Sequence, residues 1–114
     1  MNELRSLILS KSNVLLGQTP GTQYEWFDNT GNQVAEFTTF DWWDGKNICG
    51  LFVYPQYRRM GYAYKLLDFA TKNLGCTCLA VDKSNFVAKQ MYDKYGFAIT
   101  DQDKNLYYMS LTKH

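Results

Sequence analysis

The chain has 114 residues, of which 46% are apolar and 17% aromatic, and its net charge is +1. That length suits one domain, 1–114, with enough apolar material for a core, and the balanced charge excludes a general field that would recruit nucleic acid or an anionic membrane. Three cysteines make a poor disulfide framework, and a lone terminal histidine, His114, leaves no internal imidazole for Ser-His-Asp or Cys-His chemistry.

No apolar run approaches the length of a membrane span. Leu7-Ile8-Leu9 is too short for a signal peptide, so the cytoplasm is the expected compartment. Leu4, Leu7 and Ile8 fit one helical face, whereas Val14-Leu15-Leu16 reads as a short strand before Gly17 and a Pro20-Gly21 turn. Aromatic and β-branched runs, Tyr24 to Phe27 and Val34 to Phe40, flank Asp28-Asn29-Thr30-Gly31-Asn32 and predict a hairpin. Asp44-Gly45 turns the chain into a third antiparallel strand ending at Tyr54.

Ala63, Leu66, Leu67, Ala70 and Leu74 recur at helical spacing, so a helix is predicted from Gly61 to about Asn73, stopped by Gly75. Cys78-Leu79-Ala80-Val81 is a short buried strand, and the two strands with the helix between them form a right-handed β-α-β crossover. A second helix starts at Ser84 or Asn85, carries Val87, Ala88, Met91, Tyr92 and Tyr95 on its apolar side, and ends at Gly96. Phe97 to Thr100 and Leu106 to Leu111 are closing strands around a polar loop. Cys76-Thr77-Cys78 lacks the second cysteine pair of a tetrahedral metal site, so the thiols read as packing groups and no metal is expected.

Arg58-Arg59-Met60-Gly61-Tyr62-Ala63 lies between the apolar strand and the first helix. The first N–H groups of a helix lack partners within it, and its dipole adds partial positive charge there. A basic loop at such a place is a cradle for phosphate. One glycine without the Walker Gly-Lys-Ser/Thr or a three-glycine loop argues against a nucleotide site.

Two motifs now stand in order. Arg58, Gly61 and Ala63 fill the fixed places of Q/R-x-x-G-x-G/A, and Asn85, Ala88, Tyr92, Gly96 and Phe97 follow as a second signature. Together they resemble the GCN5-related N-acetyltransferase family, over roughly residues 45 to 100. The resemblance implies an α+β fold with a central, mostly antiparallel twisted sheet, a β-α-β crossover, and parallel strands splayed at the cofactor site. It implies acetyl-coenzyme A as co-substrate, held by Leu51, Phe52, Val53, the loop Arg58 to Ala63, and Asn85. It also implies an N-terminal helical region between the first two strands, and here only some twenty residues precede Tyr24, so that region is shortened or missing.

By the same resemblance Tyr92 would protonate the departing thiolate, on a helix face that it shares with Asn85 and the small Ala88. Core packing explains a tyrosine there too, and an N-cap explains Asn85 equally well. A base is harder to find, because Asn47, Ile48, Cys49 and Gly50 supply no carboxylate on the strand where the family often has one. Glu36 on the preceding strand is the best substitute, with Asp41 and Asp44 behind it. Alternation sends Trp42 and Trp43 to opposite faces, one to the core and one exposed, where it would attract a cationic amine. The expected activity is acetyl transfer to a primary amine on a small molecule or protein. The competing reading is a non-catalytic acyl-coenzyme A-binding or interaction module, and exposed aromatics leave a homodimer open.

Overall fold

A computed structural model describes residues 4–111. One seven-stranded sheet runs through it, in the order β1-β2-β3-β4-β5-β7-β6. After a 3₁₀ turn over Leu4–Ser6 come β1 (Ile8–Leu16), β2 (Thr19–Phe27), β3 (Gln33–Trp42) and β4 (Gly45–Val53), an antiparallel meander. Helix α1 (Tyr62–Lys72) crosses to β5 (Cys78–Asp82), the parallel neighbour of β4. Helix α2 (Phe86–Tyr95) then leads to β6 (Phe97–Gln102) and β7 (Leu106–Leu111), and β7 inserts antiparallel between β5 and β6. Neither helix is long and apolar enough to cross a membrane.

The N-terminal reading needs correction. Leu7 and Ile8 do not continue a helix: β1 pairs along its whole length with β2, from Ile8↔Phe27 to Leu16↔Thr19. Strand pairing overrides a short apolar spacing of three and four, which is weak evidence on so few residues. The turn lies earlier than Pro20-Gly21, at the two residues between Leu16 and Thr19 that close the hairpin. Pro20 is accommodated near the strand end, where β3 begins to pair only at Gly21. No helix separates the first two strands, and the sheet keeps one face without the helical cover that the resemblance implied.

The core lies on the helix side. Leu66, Leu67 and Ala70 of α1 are fully buried against Phe37, Val34 and Ala35 of β3 and Val53 of β4, and Trp26, Leu79, Val81 and Met109 join the same cluster. Trp26 packs at 5.6 Å edge-on to Phe69, which fixes α1 over the early strands. The helices are tied to each other by polar contacts as well. The Tyr95 hydroxyl of α2 donates to Asp68 Oδ1 of α1 at 2.7 Å and contacts Thr71 Oγ1 at 2.5 Å.

A second tether joins the β2–β3 turn to the segment before α1. Asp28 Oδ1 accepts from the N–H groups of Thr30 (2.9 Å) and Asn32 (3.0 Å) and from Thr30 Oγ1 (2.6 Å), while Oδ2 accepts from the Tyr57 hydroxyl. These donors hold the Asp28 carboxyl far below the ordinary carboxylate range, the Thr30 hydroxyl first among them. A depressed folded-state value means stabilisation that is complete above the ordinary value of 3.8 and is lost as the solution is acidified below it. Asp28→Asn is therefore expected to lower the melting temperature at pH 7, with a deficit that shrinks between pH 4 and pH 2. A deficit equal at all three pH values would contradict this linkage.

Candidate active site

The site begins with one extra residue in β4. Glu36 pairs with Phe52 and Thr38 with Cys49, so β4 takes three steps where β3 takes two. Gly50 stands in that bulge with φ +64, a left-handed conformation natural to glycine. The bulge follows directly on the last β4–β5 pair, because that parallel ladder consists of Asn47↔Cys78 and Ile48↔Leu79 alone. Beyond it β4 stays with β3 and β5 stays with β7, and the carboxyl ends of the parallel strands part. Gly50 carries the one sequence signal for this bulge, an isolated glycine inside a strand pattern, which was not recognised along the chain.

The opening is a cleft of about 760 Å³, lined by Leu51, Phe52 and Val53, by the loop and first turn of α1, and by Asn85, Ala88, Met91 and Tyr92 of the α2 region. Both basic side chains of the loop, Arg58 and Arg59, line it, and no carboxylate does among the described residues. Gly61 is the N-cap of α1 with φ +82 and no side-chain cap, and the first turn carries no acidic residue. The helix start is thus open to an anion. A Cβ at Gly61 would meet nothing within 4 Å, so its backbone conformation, rather than closeness to protein atoms, calls for glycine. Arg59 also has positive φ, 64°, so the loop is held in a wound conformation on both sides of Met60.

Each expected residue has a definite place. Arg58 donates from Nε to the Val53 carbonyl at 2.7 Å, and its guanidinium lies 5.0 Å from the Phe52 ring centre. It braces the loop against β4, and one lone pair of the Val53 carbonyl is already engaged. The Tyr62 side chain is core, and its backbone belongs to the first turn of α1. Met60 is exposed and outside the lining. Asn85 caps α2, its Oδ1 accepting from the Ala88 N–H at 3.2 Å, and it lines the cleft as well. Glu36 lines neither this cleft nor the other large one. It pairs across from Phe52, and its Oε1 accepts from Gln33 Nε2 at 2.9 Å and from the Tyr54 hydroxyl at 3.5 Å.

Tyr92 is 7% exposed, and its ring meets Phe97 at 6.3 Å. Its hydroxyl has no hydrogen-bond partner among the described residues, yet it is not sealed in, since no buried side-chain oxygen or nitrogen is left unpaired. Burial pushes the phenol above its ordinary value of 10.0, which keeps it protonated at neutral pH. The thiols behave differently from reactive ones. Burial raises Cys49 and pushes Cys76 up to about 12, so neither is a thiolate at neutral pH.

Comparison with known proteins decides what this arrangement belongs to. The family model of the acetyltransferase (GNAT) domain matches residues 23–99. The chain belongs to the GNAT acetyltransferase family. It is an acyltransferase, with the mixed fold and splayed parallel pair of that family. An acetyltransferase from Bacillus cereus, described as an IAA acetyltransferase, superposes with a TM-score of 0.69 at 14% identity over 91% of this chain and 99% of its own. PseH, an N-acetyltransferase of Campylobacter jejuni solved with acetyl-coenzyme A, gives 0.62 at 22% identity, covering 82% and 69%. The PaiA N-acetyltransferase of Thermoplasma acidophilum, solved with coenzyme A, gives 0.66 at 20% identity, covering 80% and 60%. At these identities the likeness carries the fold. No curated protein matches the chain.

The two roles available to Asn85 separate by substitution. Asn85→Ala removes the cap and is expected to cost about 1 kcal/mol in urea unfolding, whereas Asn85→Asp retains it. Equal stabilities for the two variants would show that the 3.2 Å cap bond contributes nothing.

Proposed function

We propose that the protein moves an acetyl group from acetyl-coenzyme A to a primary amine by direct attack on the thioester. The observation that carries this reading is the Tyr92 hydroxyl, without a hydrogen-bond partner among the described residues, on the wall of a basic cleft that opens at an uncapped helix start. In this reading the diphosphate lies at the α1 N-terminus with Arg59 beside it. The pantetheine arm runs along Leu51 to Val53 in the gap that β5 leaves, as an added strand would. The small side chain of Ala88, between Asn85 and Tyr92, leaves room for it.

The amine nitrogen attacks the carbonyl carbon, the C–N bond forms, and the C–S bond breaks. Tyr92 gives its proton to the leaving sulfur, and a proton lost by the amine restores the phenol through water. The net change moves one amine proton to coenzyme A and leaves an amide. A thiol of pKa about 8.5 departs more readily with that donation. An amine of pKa about 10.4 must shed its extra proton before attack, which requires an acceptor. We assign that step to Glu36, acting through water. By strand alternation it faces the same side of the sheet as Thr38, Phe40 and Trp42, with its orientation fixed by Gln33 and Tyr54.

Calorimetry with acetyl-coenzyme A and coenzyme A, followed by thiol release against a panel of amines, tests the reading. Tyr92→Phe is expected to lower turnover by about 10²-fold while coenzyme A affinity holds. Unchanged turnover would take Tyr92 out of the mechanism, and coenzyme binding with no transfer to any amine would favour the non-catalytic module. Glu36→Gln is expected to lower kcat by at least about tenfold while coenzyme A affinity holds. An unchanged kcat would remove Glu36.

A further inference from the structure

A second cleft, of about 820 Å³, occupies the opposite face of the sheet, the face without helices. Its walls include Trp42, Trp43, Asp44, Cys49, Asp101 and Tyr108. Against the expectation that one tryptophan is core, both are exposed, Trp42 at 53% and Trp43 at 89%, because β3 ends at Trp42 and strand alternation stops there. Among the described residues, the lining carries two carboxylates, Asp44 and Asp101, and no lysine, arginine or histidine. The cofactor cleft has the opposite polarity, two arginines and no carboxylate.

The two clefts share β4. Asn47, Ile48 and Cys49 line the acidic one and Leu51, Phe52 and Val53 the basic one, with the Gly50 bulge between them. They therefore adjoin where β4 leaves β5, the place at which the proposed function puts the thioester. Neighbouring charges also leave the acidic cleft ready for a cation. Asp41 is occupied by Lys46 at 3.0 Å, whereas Asp44 accepts on Oδ1 from Asn47 Nδ2 at 3.1 Å and retains acceptor capacity on its other oxygen. The Tyr108 hydroxyl donates to Asp103 Oδ2 at 2.6 Å, which steadies its ring at the wall.

From this charge pattern, and resting on the acetyltransferase reading, we propose that the acceptor is an aliphatic amine carrying a second positive charge, a diamine or longer polyamine. A carboxylate near an ammonium favours its charged form. A monoamine drawn to Asp44 would thus be held protonated and unreactive. A diamine divides the tasks: one ammonium rests against Asp44, Asp101 and the indole faces, the methylenes pack on Trp42 and Trp43, and the other nitrogen reaches the gap at Gly50 and reacts neutral.

The test compares 1,4-diaminobutane, 1-aminobutane and 4-aminobutanoate as acceptors at saturating acetyl-coenzyme A. Calorimetric titration of each into the protein loaded with coenzyme A gives a readout independent of transfer. The diamine is expected to exceed the monoamine in kcat/KM by at least about tenfold, with the anionic amine weakest. Asp44→Asn is expected to cut that ratio about five- to tenfold through KM, and Trp42→Ala with Trp43→Ala about two- to fivefold. All are exposed positions, and circular dichroism checks that the variants fold. Equal rates and affinities for monoamine and diamine, or a ratio unmoved by Asp44→Asn and Asp101→Asn, overturn the proposal even if thiol release is brisk. If no amine yields thiol but the diamine binds in an Asp44-dependent way, the cation site stands and the acetyltransferase reading fails.

Discussion

The parting of β4 from β5 is the constraint on which the rest of the molecule depends. A parallel pair needs a crossover, and here α1 provides it while the ladder itself is only two pairs long. The bulge at Gly50 adds one residue to β4, turns its course, and ends that pairing. A sheet of seven strands would close over a regular pairing and leave no interior edge. With the bulge, backbone of β4 is presented in the middle of the sheet, where a ligand can use it without making the protein an aggregation-prone edge.

What surrounds that gap gives it direction. On the helix side lie the start of α1, wound by Arg59 and Gly61, and the partly sequestered Tyr92 phenol. Burial determines the Tyr92 proton: a desolvated phenol resists ionisation, which suits a donor and not a base. Arg58 illustrates how one side chain serves two links of the chain. Its Nε bond to Val53 and its seat on Phe52 hold the loop to the strand, so part of its contribution is architectural. Asp28 does similar work from a distance by pinning Tyr57, two residues before the loop begins to wind at Arg59.

On the other face the missing N-terminal helices have a consequence for charge and shape. A hairpin of two long strands stands in their place, and it contributes only Leu16 and Thr19 to the cleft on the sheet face where Phe40, Trp42 and Tyr108 lie. Aromatic and acidic groups that helices would otherwise shield are in solvent. In the proposed reading, the opposite polarities on the two sides of one strand would keep an anionic cofactor apart from a cationic acceptor until both reach Gly50. Electrostatic sorting of this kind acts on orientation and encounter more than on total affinity.

Much of this was legible along the chain. The crossover from Tyr54 to Cys78 and both helices follow from apolar periodicity, glycine stops and residue spacing, which are local properties, while the meaning of the two motifs and the shortened N-terminal region came from the family resemblance. The α1 stripe of Leu66, Leu67 and Ala70 and the N-cap capacity of Asn85 belong to the same class. The first part of β1 was misread, although Val14 to Leu16 was legible as strand, because its fate depends on nine partners in β2 and a solvated edge strand carries little periodic signal of its own. Trp42 and Trp43 were half misread because alternation holds only while a strand lasts.

Sequence alone determined the local chemistry: a basic turn at a helix start, a tyrosine two turns into the next helix, and no internal histidine, since composition and short-range geometry decide these. Only the tertiary structure decided which face each carboxylate and indole occupies, that Arg58 is bound to Val53, and that two clefts of opposite charge adjoin at one bulge. The reason is physical. Side-chain direction in a sheet is set by register, register is set by pairing between distant segments, and one added residue at Gly50 changes the partners of everything beyond it.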